Sequence, residues 1–405
     1  MPPSHSRRNI IPHVSRIADK PLLLCLSHLR WDFVFQRPQH LLTRAARSHR
    51  VLFFEEPLRR APAPGLPRLE LRRTPEGVEI ATPLLPDSLD EAASDAAQRA
   101  LLDELLGGEQ PAIAWYYTPM ALAFTAHLHP GLAVYDCMDE LSAFLGASPR
   151  LLLLGRRLLQ QVDIVFTGGR SLYEAKRGLH PSVHQFTSGV DVAHFGQARE
   201  PRLAAGPGPA DQAGIPRPRL GWFGVVDERM DLALVDAVAA RRPDWSLVMV
   251  GPVVKIDPAS LPRRPNIHWL GGKAMAELPA YLAGWDCGLM PFAMNESTRF
   301  ISPTKTPEYL AAGVPLVSTP VVDVVRDWGA KGLVAIAADA EQVTAAAEAA
   351  MARPRLSWWA EADRHLAGCS WDSIWSAMQE LIQARAAAKT AGGGSAVAAA
   401  GQAHV

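Results

Sequence analysis

The sequence predicts two α/β domains, each built on a parallel sheet, and three observations carry that reading. The 405-residue chain is longer than one ordinary hydrophobic core supports. Short apolar runs alternate with longer helical patterns through both halves, as strand–helix–strand units require. Between the halves, residues 197–218 (QAREPRLAAGPGPADQAGIPRP) concentrate Pro, Gly and Ala, the composition of a linker.

Strands of the first half are expected at 22–26, 51–54, 112–116, 133–135, 164–167 and 183–186. Helices fall between them, near Pro38 and over 91–106, 149–161 and 171–177. Residues 69–83 (LELRRTPEGVEIATP) alternate like a hairpin turning at Pro75-Glu76-Gly77, which reads as a β insertion on the first sheet. The second half repeats the series, with strands at 220–223, 246–250, 267–270, 287–290, 316–318 and 333–336. Its helices are expected over 230–241, 275–283, 306–312 and 340–351, the last capped by Asp339. Two closing helices follow. These readings give domains at 1–198 and 218–368, a linker at 199–217, a closing helix at 369–388 and a low-complexity, disordered tail at 389–405.

Composition excludes several classes of function. Hydrophobic residues make up 48% and charged residues 20%, and the 41 basic and 41 acidic side chains cancel. Nothing in that balance points to wholesale nucleic-acid binding. Basic pairs such as Arg59-Arg60, Arg72-Arg73, Arg241-Arg242 and Arg263-Arg264 read as solvated loop or helix-end charges that can touch an anionic membrane surface. Cys25, Cys137, Cys287 and Cys369 are widely spaced, which argues against a disulfide framework or a structural zinc site and fits a reducing cytoplasm. The basic N-terminal segment precedes only the short run PLLLCL, and no stretch has the length of a transmembrane helix, so membrane contact is expected to be peripheral.

In open parallel sheets, ligands bind beyond the carboxyl ends of the strands, which directs attention to four loops. Residues 301–319 (ISPTKTPEYLAAGVPLVST) start a helix with two prolines among hydroxyls, and Ser302 or Thr304 suits the cap. Lys305 and Glu308 are three apart and share a face of the first turn. A lysine at a helix start attracts phosphate, and a neighbouring carboxylate can accept hydrogen bonds from ribose hydroxyls. A surface salt bridge between the two is equally consistent with the spacing. After the strand at 220–223, Gly224 allows a ligand to approach the backbone, and Arg229 falls near the next helix start.

The loop after the first strand, SHLRWDFVFQRPQH, mixes polar and aromatic groups that suit carbohydrate, whose hydroxyls need partners and whose CH faces stack on rings. His28, Trp31, Gln36 and Arg37 are its acceptor-side candidates, against the plainer possibility of a buried Trp31 and a solvated Arg37. Asp136, Asp139 and Glu140 cluster at a strand end, where a carboxylate can serve as base or stabilise positive charge. Asp136 or Asp139 as a helix cap explains the same residues.

Taken in order, these segments resemble the retaining glycosyltransferases of carbohydrate-active family four. Glu308 followed by AAGVPLV matches the glutamate that in that family binds the donor ribose, and SPTKTPEYLAAG resembles a branch whose lysine faces the donor phosphates. The family's second glutamate, eight residues earlier, is Phe300 here. Asp139 stands about where the family often carries a histidine. Residues 166–172 and 188–195 (SGVDVAHF) resemble its segment before the linker, and the RPQH start resembles enzymes of cell-surface polysaccharide synthesis.

The resemblance spans about residues 22–371 and implies the GT-B fold, two Rossmann-like domains facing across a cleft with a final helix crossing back to the first. It implies transfer of a sugar from a nucleotide-diphosphate sugar, with UDP favoured, to a saccharide or lipid-linked acceptor, without metal or other cofactor. The absence of a DxD motif agrees with that. Arg229, Lys305 and Glu308, with Gly224, Ser302 and Thr304, would hold the donor; Asp139 or Asp136 would act at the reacting carbon. The expected location is the cytoplasm, at the inner face of the plasma membrane. Two other readings share the donor site: a nucleotide-sugar epimerase or hydrolase, and a non-catalytic nucleotide-sugar-binding partner. Neither half carries a GxGxxG after its first strand, which disfavours a redox enzyme.

Overall fold

A computed structural model of the chain describes residues 20–59, 65–200, 206 and 208–401, with side chains through 391. The basic N-terminal segment, Arg60 and residues 201–205 and 207 of the Pro/Gly-rich stretch between the halves lie outside these residues.

The first sheet contains β1 (Leu22–Leu26), β2 (Arg50–Phe54), β3 (Leu58–Arg59), β4 (Arg68–Arg73), β5 (Glu79–Leu85), β6 (Ile113–Tyr116), β7 (Leu132–Cys137), β8 (Ile164–Thr167) and β9 (Val183–Gln185). Their order is β3-β5-β2-β1-β6-β7-β8-β9, all parallel, while β4 pairs antiparallel with β5 as the expected hairpin insertion. The second sheet runs β12-β11-β10-β13-β14-β15. Its strands are β10 (Arg219–Phe223), β11 (Ser246–Val250), β12 (Ile267–Gly271), β13 (Cys287–Met290), β14 (Leu316–Ser318) and β15 (Ala335–Ile336). Strands such as β1 and β11 are buried at every residue, because helices cover both faces of a parallel sheet.

Helices of the first domain are α1 (Arg37–Ala45), α2 (Glu91–Leu106), α3 (Leu122–Thr125), α4 (Pro149–Gln161), α5 (Arg170–Lys176) and α6 (Val192–Gly196). Those of the second are α7 (Ala210–Ala213), α8 (Leu232–Arg241), α9 (Leu278–Leu282), α10 (Lys305–Ala311), α11 (Val322–Asp327), α12 (Ala340–Ala352), α13 (Arg355–Leu366) and α14 (Trp371–Gly401). Local chemistry sets their ends. Asp90, Ser148, Asp231 and Asp339 each accept a backbone N–H at a helix start, and Pro38 occupies the first turn of α1. The helix expected over 275–283 divides into a 3₁₀ turn and α9, because Pro279 lacks the N–H that a continuous helix would need there. The expectation that the last helix ends near 388 is corrected: α14 runs to Gly401 through an alanine-rich segment that no proline interrupts. None of the helices among the described residues is long and apolar enough to cross a membrane.

The strand orders place the ligand crevices. In the first sheet the chain leaves β1 towards β2 and later returns on its other side with β6; in the second, β11 and β13 flank β10 in the same way. Each sheet therefore has a switch point, where the loops at the carboxyl ends diverge and open a crevice. Residues 27–36 follow β1, residues 224–231 follow β10, and residues 291–304 follow β13.

The last helix fastens the halves together. Trp371, Trp375, Met378 and Ile382 of α14 join the core formed by Leu23, Val51, Trp115 and Phe166 of the first domain. His40 of α1 stacks on Trp371, with ring centroids 4.4 Å apart and planes 10° from parallel. Burial drives the His40 imidazole down to about 3, assisted by the charges of Arg44 and His194. The folded protein therefore holds His40 neutral, whereas the unfolded chain takes up its proton near the usual pH 6.5. Stability from this neutral ring is complete above that value and is lost as pH falls towards 3. The melting temperature should accordingly drop between pH 6.5 and 4. His40→Phe, which keeps the stack, should flatten part of that slope; equal slopes in both proteins would remove His40 as a cause.

Candidate active site

A cavity of about 780 Å³ lies between the two switch points and takes its walls from both domains. On the second domain the wall is built around Lys305. Gly224 has φ of 134°, and a Cβ there would sit 2.0 Å from Cε of Lys305. Gly251, which follows β11, has φ of 152°, and its Cβ would meet the Gly224 carbonyl oxygen at 1.8 Å. Two glycines in conformations that disfavour other residues thus let two strand ends pack together and leave a channel for one lysine. The Lys305 ammonium lies 5.2 Å from the Trp222 ring centroid, a cation–π contact that holds it over the floor of the cleft.

Arg229 faces the same cavity. Its guanidinium is fixed by Asp227 Oδ1 and Oδ2 at 3.0, 3.1 and 2.6 Å, and it stands 5.4 Å from the ring of Phe144 in the opposite domain. Asp139, from the loop after β7, also lines the cavity. Burial raises its carboxyl above the ordinary range, opposed by the charges of Arg229, Arg37 and Lys305. Lys305 is lowered first by burial and then by Arg229, while Glu308 is raised by burial against the pull of Lys305. Lys305 and Glu308 both line the cleft wall and do not form a surface salt bridge.

Of the residues singled out in the sequence, Gly224, Arg229, Ser302, Thr304, Lys305, Glu308, Asp139, His28, Trp31 and Gln36 all line this one cavity. Ser302 has a second duty, because a Cβ on Gly169 of the first domain would approach its Cβ to 2.6 Å. Neither Ser302 nor Thr304 caps α10. Thr304 has helical angles and makes no side-chain capping bond, since the Thr306 N–H already donates to the Pro303 carbonyl at 3.2 Å. Both hydroxyls are left to the cavity. Trp31 is mostly buried, edge-on to Phe53 at 5.1 Å, and shows the cleft only part of its ring.

Arg37 and Asp136 are corrections. They lie away from the cavity wall and face each other, 1% and 0% exposed, with three contacts of 2.9 to 3.1 Å. Arg37 also donates to the Phe186 carbonyl at 2.8 Å. A carboxylate and a guanidinium this deep are stable only when paired, so neither is free for an acceptor or a reacting carbon. Phe300, where the resemblance expects a glutamate, packs against the first domain's core.

Sequence reasoning missed Trp222, Phe144, Gly251 and Lys255 as cleft residues. A glycine directly after β11 carries the same signal that singled out Gly224. Phe144 and Lys255 had no local signal, because their roles arise from contact between domains.

Residues 217–353 match the family described as "Glycosyl transferases group 1". The match is confined to the second domain, which is similar to this family. The match contains the whole second-domain wall of the cleft, whereas His28, Asp139 and Phe144 fall outside it. TuaH of Bacillus subtilis (strain 168), provisionally named a teichuronic acid biosynthesis glycosyltransferase, is 28% identical over 242 residues. That alignment takes in 54% of this chain and 59% of TuaH, so the chain spans about six tenths of the relative's length. Among solved structures, sucrose-phosphate synthase from Thermosynechococcus elongatus superimposes with a TM-score of 0.70 at 14% identity, covering 91% of this chain and all of that one. A trehalose-6-phosphate structure from E. coli, bound with UDP-2-fluoro glucose, gives 0.64 at 13%, covering 90% and 99%. At such identities the likeness is one of fold, and that fold is GT-B.

Two substitutions test how the chain builds its cleft. Gly224→Ala should displace Lys305 and weaken nucleotide-diphosphate binding by roughly tenfold or more, at a stability cost of about 1 kcal/mol. Calorimetric titration beside a melting curve separates the two effects; unchanged affinity would remove the packing argument. Asp136→Asn leaves the Arg37 charge buried and unpaired, and should destabilise the fold by about 3–5 kcal/mol in a denaturant titration.

Proposed function

We propose that the chain transfers a glycosyl group from a nucleotide-diphosphate sugar to a saccharide or lipid-linked acceptor in the synthesis of a cell-envelope polysaccharide. The observation that carries this reading is the convergence of Arg229 and Lys305 from one domain with Asp139 from the other. Two fixed cations suit a leaving diphosphate, whose charge grows as the glycosidic bond breaks. A carboxylate across the cleft suits the positive charge that develops on the anomeric carbon. Glu308, beside Lys305, is placed to accept from the ribose hydroxyls.

In this mechanism the bond from the anomeric carbon to the diphosphate oxygen breaks, and the acceptor oxygen forms the new bond to that carbon. The acceptor proton leaves either with the diphosphate or on Asp139. Retention of configuration assigns it to the diphosphate, and inversion assigns it to Asp139, so the product's anomeric signal identifies the base. Arg229 and Lys305 do the larger share of the work, because they are already ordered against Asp227 and Trp222 before the donor arrives.

UDP is the favoured carrier. The end of the cleft assigned to the nucleotide is lined by Gly251, Gly272, Ala274 and Leu278, and the charges beside it are engaged: Lys273 pairs with Asp211 at 2.6 Å, and Glu277 accepts from the Ala274 N–H at 2.8 Å. Such a lining reads a base through backbone groups, and the E. coli neighbour was solved with UDP-2-fluoro glucose. The family match over residues 217–353 and the name of TuaH support the polysaccharide context, and with it a place at the cytoplasmic face of the membrane. A hydrolase shares this donor site and is recognised by monosaccharide release without acceptor.

A thermal-shift screen with UDP, GDP, ADP and TDP sugars should raise the melting temperature most with a UDP sugar. Arg229→Ala should lower kcat by about 10²-fold or more. Asp139→Asn should also lower kcat by about 10²-fold while leaving UDP affinity within threefold. Absence of a shift with all four nucleotides would sink the donor assignment.

A further inference from the structure

Lys255 departs from the rest of the chain in backbone and surroundings. With φ of 61° it is the one non-glycine residue at positive φ among the described residues. A long-chain residue gains nothing there that glycine would not supply without strain, and such outliers gather where a side chain must be aimed. Lys255 follows β11 and lines the cavity between the domains. Its side chain is 52% exposed, 3.9 Å from Glu228 Oε1 and 5.1 Å from the Phe144 ring centroid. The Glu228 contact is too long for a hydrogen bond, and both Glu228 oxygens are buried without a hydrogen-bond partner. Glu228 therefore holds the ammonium in place by charge while leaving its three N–H groups free.

This cation belongs to a different part of the cleft from the donor grip. Lys305 feels Glu308, Arg229, Asp227 and Asp139. Lys255 acts instead on first-domain groups beyond the carboxyl ends of β1 and β2: His28 and Glu56, the latter also facing Arg30. Arg229 and Lys255 both stand over Phe144, so one ring touches both cations. Arg30 is already committed to Glu55 at 3.2 Å. Among the described residues that line this side of the cavity, Lys255 is the cation whose N–H groups make no hydrogen bond.

We propose that Lys255, held by Glu228, binds an anionic group carried by the acceptor saccharide, distinct from the donor diphosphate held by Arg229 and Lys305. The inference rests on the glycosyltransferase reading above. A phosphate ester or a sugar carboxylate meets the same requirement, since a lysine binds either as a point charge. Glu56 opposes the anion and excludes acceptors whose negative charge lies further into the first domain.

The test uses the full chain saturated with UDP and titrated calorimetrically with glucose, glucose 6-phosphate and glucuronate. Wild type should bind one of the charged sugars at least about tenfold more tightly than glucose; which one identifies the anion. Lys255→Ala should abolish that preference while changing UDP affinity less than twofold. Lys255→Gly should abolish it too and melt no lower than wild type, because glycine relieves the positive φ. A purely structural Lys255 would give variants that bind all three sugars as wild type does. That result overturns the proposal, as does equal binding of all three by wild type, or a loss of UDP affinity in Lys255→Ala. Failure of wild type to bind UDP at all overturns the glycosyltransferase reading, and this inference with it.

Discussion

The buried pair of Arg37 and Asp136 is the constraint on which the first domain's half of the cleft depends. Arg37 opens α1, Asp136 lies near the end of β7, and the Phe186 carbonyl follows β9. One guanidinium therefore ties the start of α1 to two strand ends, those of β7 and β9. The loop from Ser27 to Gln36 is anchored at β1 on one side and by this pair on the other. Asp139, three residues beyond Asp136, starts from the same fixed point. Two deeply buried charges cost much in desolvation, and their mutual attraction offsets that cost only when the geometry is good. The pair is better understood as setting position than as adding stability, because it orders a polar loop that no apolar core would hold.

The second domain solves the corresponding problem with absence of side chains. Gly224 and Gly251 let β10 and β11 end close together, and Lys305 passes through the space a Cβ would fill. Trp222 beneath and Asp227 beside it complete a wall in which the cations are ordered in advance. Such pre-organisation matters because a loose ammonium would have to give up rotamer freedom and water on binding an anion. One domain fixes its active groups with a buried charge pair, and the other with close backbone packing.

Much of this was legible in the chain and some was not, for physical reasons. Parallel strands are continuous apolar runs, so β1, β8, β11, β13 and β14 could be placed to the residue. Lys305, Glu308 and Arg229 were legible because a strand–loop–helix unit has few ways to present a charge. The identity of Arg37 as a core residue was not, since its partner lies 99 positions away and the sequence carries no sign of that pairing. Phe144 and Lys255 escaped for the same reason: each gains its meaning from the other domain. Local sequence reports local geometry well, and reports contacts between domains poorly.

Phe300 shows how such contacts bear on function. Where the resemblance expects a carboxylate, the residue joins the second domain's 291–304 loop to the first domain's core. Neighbouring contacts act in the same direction. Ser302 presses on Gly169, Asp323 accepts from the Ser171 N–H at 3.0 Å, and Arg326 pairs with Glu174 at 2.8 Å. These contacts gather along β8 and α5, whereas Lys255 faces the ends of β1 and β2 on the other side of the sheet. Phe300 thus takes part in the contact between the domains, and the carboxylate that reaches the cleft from the first domain is Asp139, three residues beyond the Arg37–Asp136 pair.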